Sequence, residues 1–356
     1  MTTRLRRDGT PVRRLRSVGL LGAVSVIACA VAACGEGSTA QGSQAASVPT
    51  TTLPVVTLVT GSAAGGTFST LGSVERVSVL PVAPGRLAPR LLGDGMLGPG
   101  SLQIAFRQFG SGPDLLLITG EHGSMTSWDP QLLLELGSYY RVTILDLPGI
   151  GYSEPSPHAE TVPFLADLTA GLIWSLGLSQ PTVVGWGFGG EIAMSLVERH
   201  SGLVWRLVLA DATAGGPRSF RPAAAVSRLI ASPSATMPEL SRLFFPVTAS
   251  AARVSWLTDL GQISPDDVTA PAVEAQAALV AKTYRNSAVA HDLGRIGIPT
   301  LIFAGSDDAV MPLGNARELA RRIAHSRLII FSGAGYASIF QYASDFVGEL
   351  TTFTSS

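Results

Sequence analysis

Strand-like apolar runs alternate with stretches of helical periodicity along most of the chain. The strand-like runs lie at residues 102–109, 114–119, 141–145, 181–184, 204–210, 299–304 and 326–331. Helical patterns lie at residues 129–139, 162–176, 189–200, 313–323 and 338–353. Because continuous apolar runs suit strands covered on both faces, the alternation predicts an α/β fold with a mostly parallel, doubly wound sheet and helices on both faces.

Helical patterns alone fill a block at about residues 212–297, between two of the predicted strands. A block at this place predicts an inserted helical lid over the carboxyl ends of the strands, where open α/β sheets bind ligands. Phe244, Phe245 and Trp256 belong to this block, and they either face the cleft or pack within the lid. We favour ordinary packing within the lid, while a lidded cleft would suit a small apolar ligand.

The first 34 residues have the order of an export signal. Six arginines come first, an apolar run from Val18 to Ala33 follows, and Cys34 ends the stretch. The run is short for a membrane span, so it predicts a signal peptide with a cleavage site. Its end, Val31-Ala32-Ala33-Cys34, resembles a bacterial lipobox, which implies a lipid on Cys34 and attachment to the extracytoplasmic face of the cell membrane. An ordinary secretory signal or a single anchor helix is the alternative.

Residues 35–100 separate this signal from the regular pattern. Up to about Thr52 the composition is Ser, Thr, Gln, Ala and Gly, which is typical of a flexible tether. Strand-like runs at 55–59 and 76–80 lie among Gly and Pro, and they leave open either a hairpin-like extension or a loosely ordered stalk. We therefore place the folded domain at residues 101–356.

Charge and cysteine content exclude several classes of function. The residues after 34 carry 19 basic and 25 acidic side chains, a net charge of −6, which argues against a nucleic-acid partner. Cys29 lies inside the predicted signal, so the domain has no cysteine for a disulfide, a nucleophile or a thiolate metal site. The five histidines form no metal motif. A dinucleotide-like glycine spacing at 185–190 follows several strands instead of the first, so we expect neither a metal nor a cofactor.

The segment at residues 181–194 predicts a buried strand that turns sharply into a helix. Its corner reads Gly185-Trp186-Gly187-Phe188-Gly189. This corner resembles the nucleophile elbow of the α/β-hydrolase fold superfamily, Gly-x-Ser-x-Gly, with glycine in place of the serine.

Four further segments resemble loops of the same superfamily, in the same order. They are an oxyanion loop at 118–128, an Asp-x-x-Gly-x-Gly-x-Ser loop at 146–153, an acid turn at 305–312, and 333–336, where the family normally has Gly-His. Each match is weak alone, but five in the right order and spacing imply that residues 101–353 have the α/β-hydrolase fold.

The resemblance assigns the catalytic triad to Gly187, Asp308 and Tyr336. Acyl transfer in this family needs a hydroxyl nucleophile, an imidazole base and an orienting carboxylate. Glycine has no side chain, and tyrosine, with a reference pKa of about 10, is a poor base at neutral pH. We expect Asp308 to accept a hydrogen bond from the Tyr336 hydroxyl instead. The oxyanion-hole donors would be the backbone amides of Glu121 and Phe188.

Other residues are candidates for substitute catalytic groups. His122, in the oxyanion loop, is the leading candidate for a base, although a solvated loop histidine is the more ordinary interpretation. Asp211 follows a strand and is a candidate acid or a helix or turn cap. The loop serines lack the elbow geometry and are weaker candidates: Ser124, Ser127, Ser153 and Ser338.

The sequence therefore favours a surface-tethered lipoprotein with a non-catalytic α/β-hydrolase fold, which binds a small apolar ligand or an unidentified protein partner. The alternative is a slow esterase or lyase with non-standard catalytic residues such as His122 with Asp308. In a third interpretation the fold is an assembly module, and its cleft is then expected to be filled by side chains.

Overall fold

The computed structural model describes residues 56–59, 75–79, 101–157, 159–261 and 268–356. The predicted signal, Cys34 and most of the predicted tether lie outside these ranges. Within them, no helix combines the length and the apolar character that a membrane crossing requires.

The described strands form one sheet. Their bounds are β1 (Val56–Val59), β2 (Glu75–Val79), β3 (Leu102–Phe109), β4 (Asp114–Ile118), β5 (Arg141–Leu145), β6 (Thr182–Trp186), β7 (Arg206–Ala210), β8 (Thr300–Gly305) and β9 (Ser326–Phe331). The strand order is β1-β9-β8-β7-β6-β4-β5-β3-β2. Neighbours pair in parallel except where β3 meets β2 and β5, so the mostly parallel sheet predicted from the sequence is confirmed.

Helices cover both faces of the sheet. Their bounds are α1 (Pro130–Gly137), α2 (Val162–Ser175), α3 (Phe188–Arg199), α4 (Ala224–Ile230), α5 (Met237–Phe244), α6 (Ser250–Leu260), α7 (Ala270–Thr283), α8 (Ala288–Asp292), α9 (Gly314–Arg322), α10 (Ser338–Gln341) and α11 (Ala343–Ser355). Short 3₁₀ helices lie at Met125–Ser127, Val247–Ala249 and Leu293–Arg295.

Strand β4 shows why these apolar runs form central strands. Successive side chains of a strand point to opposite faces, and every residue of β4 is buried. Leu115 and Leu117 pack into the hydrophobic cluster on one face, while Leu116 and Ile118 pack into the cluster on the other. A run that is apolar at every position is therefore what a strand covered on both faces requires.

The two segments that the sequence left open between a hairpin and a stalk lie at opposite edges of the sheet. Strand β1 pairs in parallel with β9, and β2 pairs antiparallel with β3. Both therefore extend the main sheet, although they lie far before the region where the regular pattern begins.

The helical block between β7 and β8 contains α4 to α8. Its aromatic residues are packed into the body of the molecule: Phe245 is 2% exposed and Trp256 is 1% exposed. At Gly335 a Cβ atom would collide with the Phe244 carbonyl oxygen, and that carbonyl accepts a hydrogen bond from Ala337 at 3.0 Å. The lid is thus in close backbone contact with the loop that carries Tyr336. Phe245 and Trp256 pack against each other and, through Phe340, against the body, so both lid packing and contact with the body bury them.

Candidate functional site

The corner between β6 and α3 has the geometry of a nucleophile elbow. Gly187 has φ 55° and ψ −119°, a conformation that glycine adopts without the strain other residues incur. Its N–H donates to the Ala210 carbonyl at 2.9 Å, which fixes the corner against β7. At Gly189 a Cβ atom would collide with the Ile118 carbonyl, so the helix start lies directly on the oxyanion loop. The scaffold of the elbow is therefore present without the nucleophile.

The Tyr336 hydroxyl occupies the space above this corner. A Cβ atom added to Gly187 would lie well inside the 3.0 Å that real Cβ atoms keep from other heavy atoms, and the atom it meets is Tyr336 Oη. A Cβ atom on Gly120 would lie 2.6 Å from the same oxygen. The hydroxyl therefore sits between the elbow and the oxyanion loop, where the side chain of a nucleophile would begin.

Aromatic side chains hold Tyr336 in this position. Its ring stacks on Trp186 with centroids 4.8 Å apart and lies 5.2 Å from the ring of Phe244 in the lid. The Trp186 Nε1–H donates to the Tyr336 carbonyl at 2.9 Å. We call the connected rings the aromatic cluster: Trp128, Trp186, Phe244, Phe245, Trp256, Tyr336 and Phe340. The centre of the family's catalytic site is thus filled by side chains.

Asp308 lies in the acid turn but does not bond the tyrosine. Its Oδ1 accepts hydrogen bonds from the backbone N–H groups of Val310 at 2.7 Å and Met311 at 2.8 Å. Its Oδ2 is buried and has no hydrogen-bond partner among the described residues, so the expected hydrogen bond from Tyr336 is wrong. The tyrosine hydroxyl lies instead against Gly187 and Gly120. Burial raises the pKa of Asp308 to about 7, against the effect of the two backbone donors.

Asp211, the second candidate acid, is a structural link. Its Oδ1 accepts from Gly305 N at 2.9 Å, and its Oδ2 accepts from the backbone N and the hydroxyl of Ser338. These bonds tie the end of β7 to the end of β8 and to α10. Burial, with a smaller effect from the nearby charge of Asp308, raises the pKa of Asp211 well above its ordinary value.

The Tyr336 hydroxyl is neutral at physiological pH. Burial raises its pKa well above 10, and the negative charges of Asp308, Glu121 and Asp211 act in the same direction. A neutral phenol can donate a hydrogen bond, but it does not take a proton from a nucleophile. The absence of a general base at this position stays a prediction.

The predicted oxyanion-hole donors lie beside the tyrosine hydroxyl. Glu121 and Phe188 directly follow Gly120 and Gly187, the two residues whose added Cβ atoms would meet Tyr336 Oη. Their assignment as donors to a substrate oxyanion stays a prediction.

His122 is buried between the oxyanion loop and the lid, so the interpretation as a solvated loop histidine is wrong. Its side chain is 13% exposed, and its backbone N–H, at φ 59°, donates to Gln276 Oε1 at 2.7 Å. Nε2 lies 3.5 Å from Glu121 Oε1, and no residue in the described part of the chain hydrogen-bonds it. Burial lowers the pKa of His122 to about 4, although backbone groups of Val273 and Ile230 oppose this. Its imidazole is therefore neutral at pH 7 and weakly basic.

The loop serines all have structural hydrogen bonds. Ser124 and Ser127 cap the 3₁₀ helix at Met125–Ser127. Ser153 donates to the Asp146 carbonyl at 2.7 Å and accepts from Ala105 N at 2.9 Å, while Ser338 bonds Asp211. These hydrogen bonds give each serine a structural role.

A cavity lies next to the filled centre; the sequence predicted a cleft beneath the lid but not the residues of its wall. Its volume is about 250 Å³, and Glu121, Tyr284 and Met311 are among the residues of its wall. The one acidic residue of the oxyanion loop, at position 121, is the sequence feature that lies in its wall. Likewise, the only sequence sign that tyrosine fills the elbow was that Gly187 is smaller than the serine of the family motif and Tyr336 is larger than its histidine. In the described part of the chain, no group of three or more acidic, histidine or cysteine side chains is arranged to hold a metal ion.

The mostly parallel sheet, the elbow, the acid turn and the helical insertion define an α/β-hydrolase type of scaffold. A family model described as the alpha/beta hydrolase family matches residues 115–349. The chain therefore belongs to the alpha/beta hydrolase family.

Two curated relatives show the similarity over nearly their whole length. The chain is 27% identical over 261 residues to the pimeloyl-(acyl-carrier protein) methyl ester esterase of Vibrio atlanticus, covering 68% of this chain and 95% of that protein. It is 26% identical over 277 residues to a non-heme haloperoxidase of Rhodococcus erythropolis, covering 71% of this chain and 96% of that protein.

Solved structures show the same fold. An alpha/beta hydrolase fold protein from Chitinophaga pinensis matches with a TM-score of 0.63 and 20% identity, over 78% of this chain and 98% of that one. An esterase from a Rhodococcus species matches with a TM-score of 0.60 and 23% identity, over 72% of this chain and 95% of that one. At these identities the likeness concerns the fold.

Proposed function

We propose that this protein is a non-catalytic member of the alpha/beta hydrolase family. The observation that carries the proposal is the Tyr336 hydroxyl, which fills the space of a side chain at position 187. The substitutions at 187 and 336 thus remove the nucleophile and the base and also close the place where chemistry would occur.

The expected cost to catalysis is large. Loss of the nucleophile or the base in a serine hydrolase typically lowers turnover by about 10⁶-fold, while an intact oxyanion hole alone can leave about 10³–10⁴-fold over water. Here the tyrosine hydroxyl also lies beside the predicted oxyanion-hole donors. Even this residual enhancement is therefore expected to be small.

The test is hydrolysis of p-nitrophenyl esters of increasing acyl length by the purified protein, together with labelling by a fluorophosphonate probe. We expect no hydrolysis above the rate in buffer and no covalent label. Turnover that survives a second purification and follows the protein through it would refute the proposal.

A second candidate is a slow esterase or lyase, because a relative bears the name of an ester hydrolase and the elbow geometry is retained. His122 would act as its base with Asp308 as the acid. In that case the variant His122→Ala loses the turnover, whereas His325→Ala, at an exposed histidine, keeps it. A rate that is equal in the wild type and both variants would exclude this role for His122.

We propose that the role left to the protein is ligand binding beneath the lid. The cavity beside the filled centre supports this, because it lies where the fold places its ligands and because its wall is partly apolar. An assembly module with a wholly filled cleft would not need such a cavity.

We further propose that the protein is anchored to the extracytoplasmic face of the membrane through a lipid on Cys34. The order of arginines, apolar run and lipobox supports this. Metabolic labelling with palmitate and fractionation of cells provide the test. Cys34→Ser is expected to abolish the label and to move the protein out of the membrane fraction, while Cys29→Ser, inside the predicted signal, leaves both unchanged. Equal labelling of the two variants would refute the assignment.

A further inference from the structure

Glu121 is a largely buried carboxyl group for which the described residues provide no hydrogen-bond donor. Its side chain is 15% exposed, and His122 Nε2 lies 3.5 Å from its Oε1. That histidine is neutral at pH 7, since burial lowers its pKa to about 4. Burial also raises the pKa of Glu121 to about 7, and no donor among the described residues offsets this effect. A buried carboxyl group in this state is costly unless something else binds it.

The carboxyl group forms part of the wall of the cavity of about 250 Å³ described above. This volume is near the lower end of the range for small-molecule pockets, about 300–1,000 Å³. Helices α4 and α7 supply apolar walls through Ile230, Ala277 and Val280, and the acid turn supplies Met311. The space therefore suits a short apolar chain with one polar end.

The cavity has an inner and an outer end. Glu121 is largely buried, whereas Arg221 and Arg285 on the same wall are exposed to solvent. Arg221 is fixed at this rim, because it donates to the Tyr284 carbonyl at 2.9 Å and lies 5.4 Å above the tyrosine ring. A ligand that enters past the arginines thus meets the carboxyl group with its leading end.

We propose that this cavity binds a small apolar amine, with its ammonium group on the Glu121 carboxylate and its carbon chain along Ile230, Ala277, Val280 and Met311. The proposal rests on the proposed function in that it takes the cavity of a non-catalytic protein as a binding site. It names the chemical class of the ligand, which neither the fold nor the relatives specify.

The chemistry of the site favours an ammonium group over other polar ends. A cation gives the buried carboxylate both an opposite charge and N–H donors, and charge-assisted hydrogen bonds are the stronger kind. An alcohol offers one neutral donor. A carboxylic acid would add a second negative charge beside Glu121. Otherwise it would have to bind in the opposite direction, with its carboxylate at Arg221 and Arg285.

The experiment is calorimetric titration of the purified full-length protein with n-hexylamine, 1-hexanol and hexanoate as matched probes. Hexylamine is expected to bind at least about tenfold more tightly than hexanol, as expected for a hydrogen bond to a charged group. A preference for hexanoate would place the charged end at Arg221 and Arg285 and would overturn the proposal, as would the absence of hexylamine binding.

Three variants locate the binding. Glu121→Gln keeps the size of the side chain and is expected to lower the affinity for hexylamine at least about tenfold while leaving that for hexanol within about twofold. Ala277→Phe fills the cavity and is expected to weaken both probes. Glu274→Gln, at an exposed glutamate of the same helix, is expected to change neither.

An unchanged hexylamine affinity in Glu121→Gln would refute the proposed contact between the ammonium group and the Glu121 carboxylate. This failure is separable from that of the proposed function, because ester hydrolysis by the wild type is measured without any amine. A protein that hydrolyses esters would refute the non-catalytic role and leave the amine titration to be judged alone.

Discussion

At the scale of single residues, the changes at 187 and 336 act as one change. Glycine at the elbow removes a side chain, and tyrosine opposite it supplies the atoms that fill the same space. Each residue is compatible with the fold because of the other. A serine restored at 187 would meet the phenol, and a histidine restored at 336 would leave the elbow empty.

The two positions are therefore predicted to be coupled in stability. Gly187→Ser alone should lower the free energy of unfolding by about 2–4 kcal/mol, through overpacking against Tyr336 and backbone strain at φ 55°. In a Tyr336→His background the same substitution should cost about 1–2 kcal/mol, since only the strain remains. Urea denaturation of the wild type, both single variants and the double variant measures the coupling. Additive effects would show that the tyrosine does not occupy this space.

Glu198 on α3 should make stability depend on pH. Its Oε1 is buried and has no hydrogen-bond partner within the described ranges; burial, followed by the charge of Asp292, raises its pKa to about 8. The folded state then holds a proton that the unfolded state, with a glutamate pKa of about 4.3, has released. Stability contributed by this group is therefore lost as the pH rises from about 4.3 to about 8.

The variant Glu198→Gln removes this loss. The stability of the variant minus that of the wild type should be about 1 kcal/mol larger at pH 8 than at pH 5. This value is reduced for the partial exposure of the carboxyl group. Thermal or urea melts at the two pH values measure it, with Glu274→Gln as the exposed control. A stability difference between variant and wild type that is the same at pH 5 and pH 8 would contradict the prediction.

At the scale of secondary structure, strand and helix patterns predicted most of the fold. Strands β3, β5 and β9 have the predicted bounds, because their apolar runs end at turn residues. Strands β1 and β2 were left open, since their place in the sheet depends on partners, β9 and β3, that local patterns do not identify.

The candidate site was predicted by position but not by contact. Motif order placed Gly187, Asp308 and Tyr336 in the right loops, while the position of the tyrosine hydroxyl at the elbow depends on Trp186 and Phe244, which pack against its ring. The burial of His122 depends on Gln276 of the lid. Contacts between distant segments of this kind are not encoded in any local pattern.

The lid is predicted to be a fixed part of the structure because the aromatic cluster joins it to the body. Trp256 on α6 is 1% exposed and lies 6.4 Å from the ring of Phe340. Trp256→Ala should lower the free energy of unfolding by about 3–5 kcal/mol, as for other large core deletions. Val254→Ala on the same helix, at a position 57% exposed, should change it by less than about 0.5 kcal/mol. Equal small effects in denaturation would show that α6 is only loosely attached.

At the scale of the whole molecule, membership of the alpha/beta hydrolase family fixes the scaffold and leaves the activity to the site. The sheet, the elbow and the acid turn are those of a hydrolase. The elbow nucleophile is absent, its space is occupied, and Asp308 keeps one oxygen without a partner. In the proposed function, these features together describe a hydrolase scaffold whose catalytic centre is closed while a cavity beside it stays open.

The measurement that tests this account most directly is ester hydrolysis by the double variant Gly187→Ser/Tyr336→His beside the wild type. The serine would occupy the elbow, and the histidine would be placed to donate to the free Asp308 Oδ2. We predict that the wild type is inactive and that the double variant hydrolyses short p-nitrophenyl esters and takes a fluorophosphonate label. Hydrolysis by the wild type at a rate equal to that of the double variant would contradict the account.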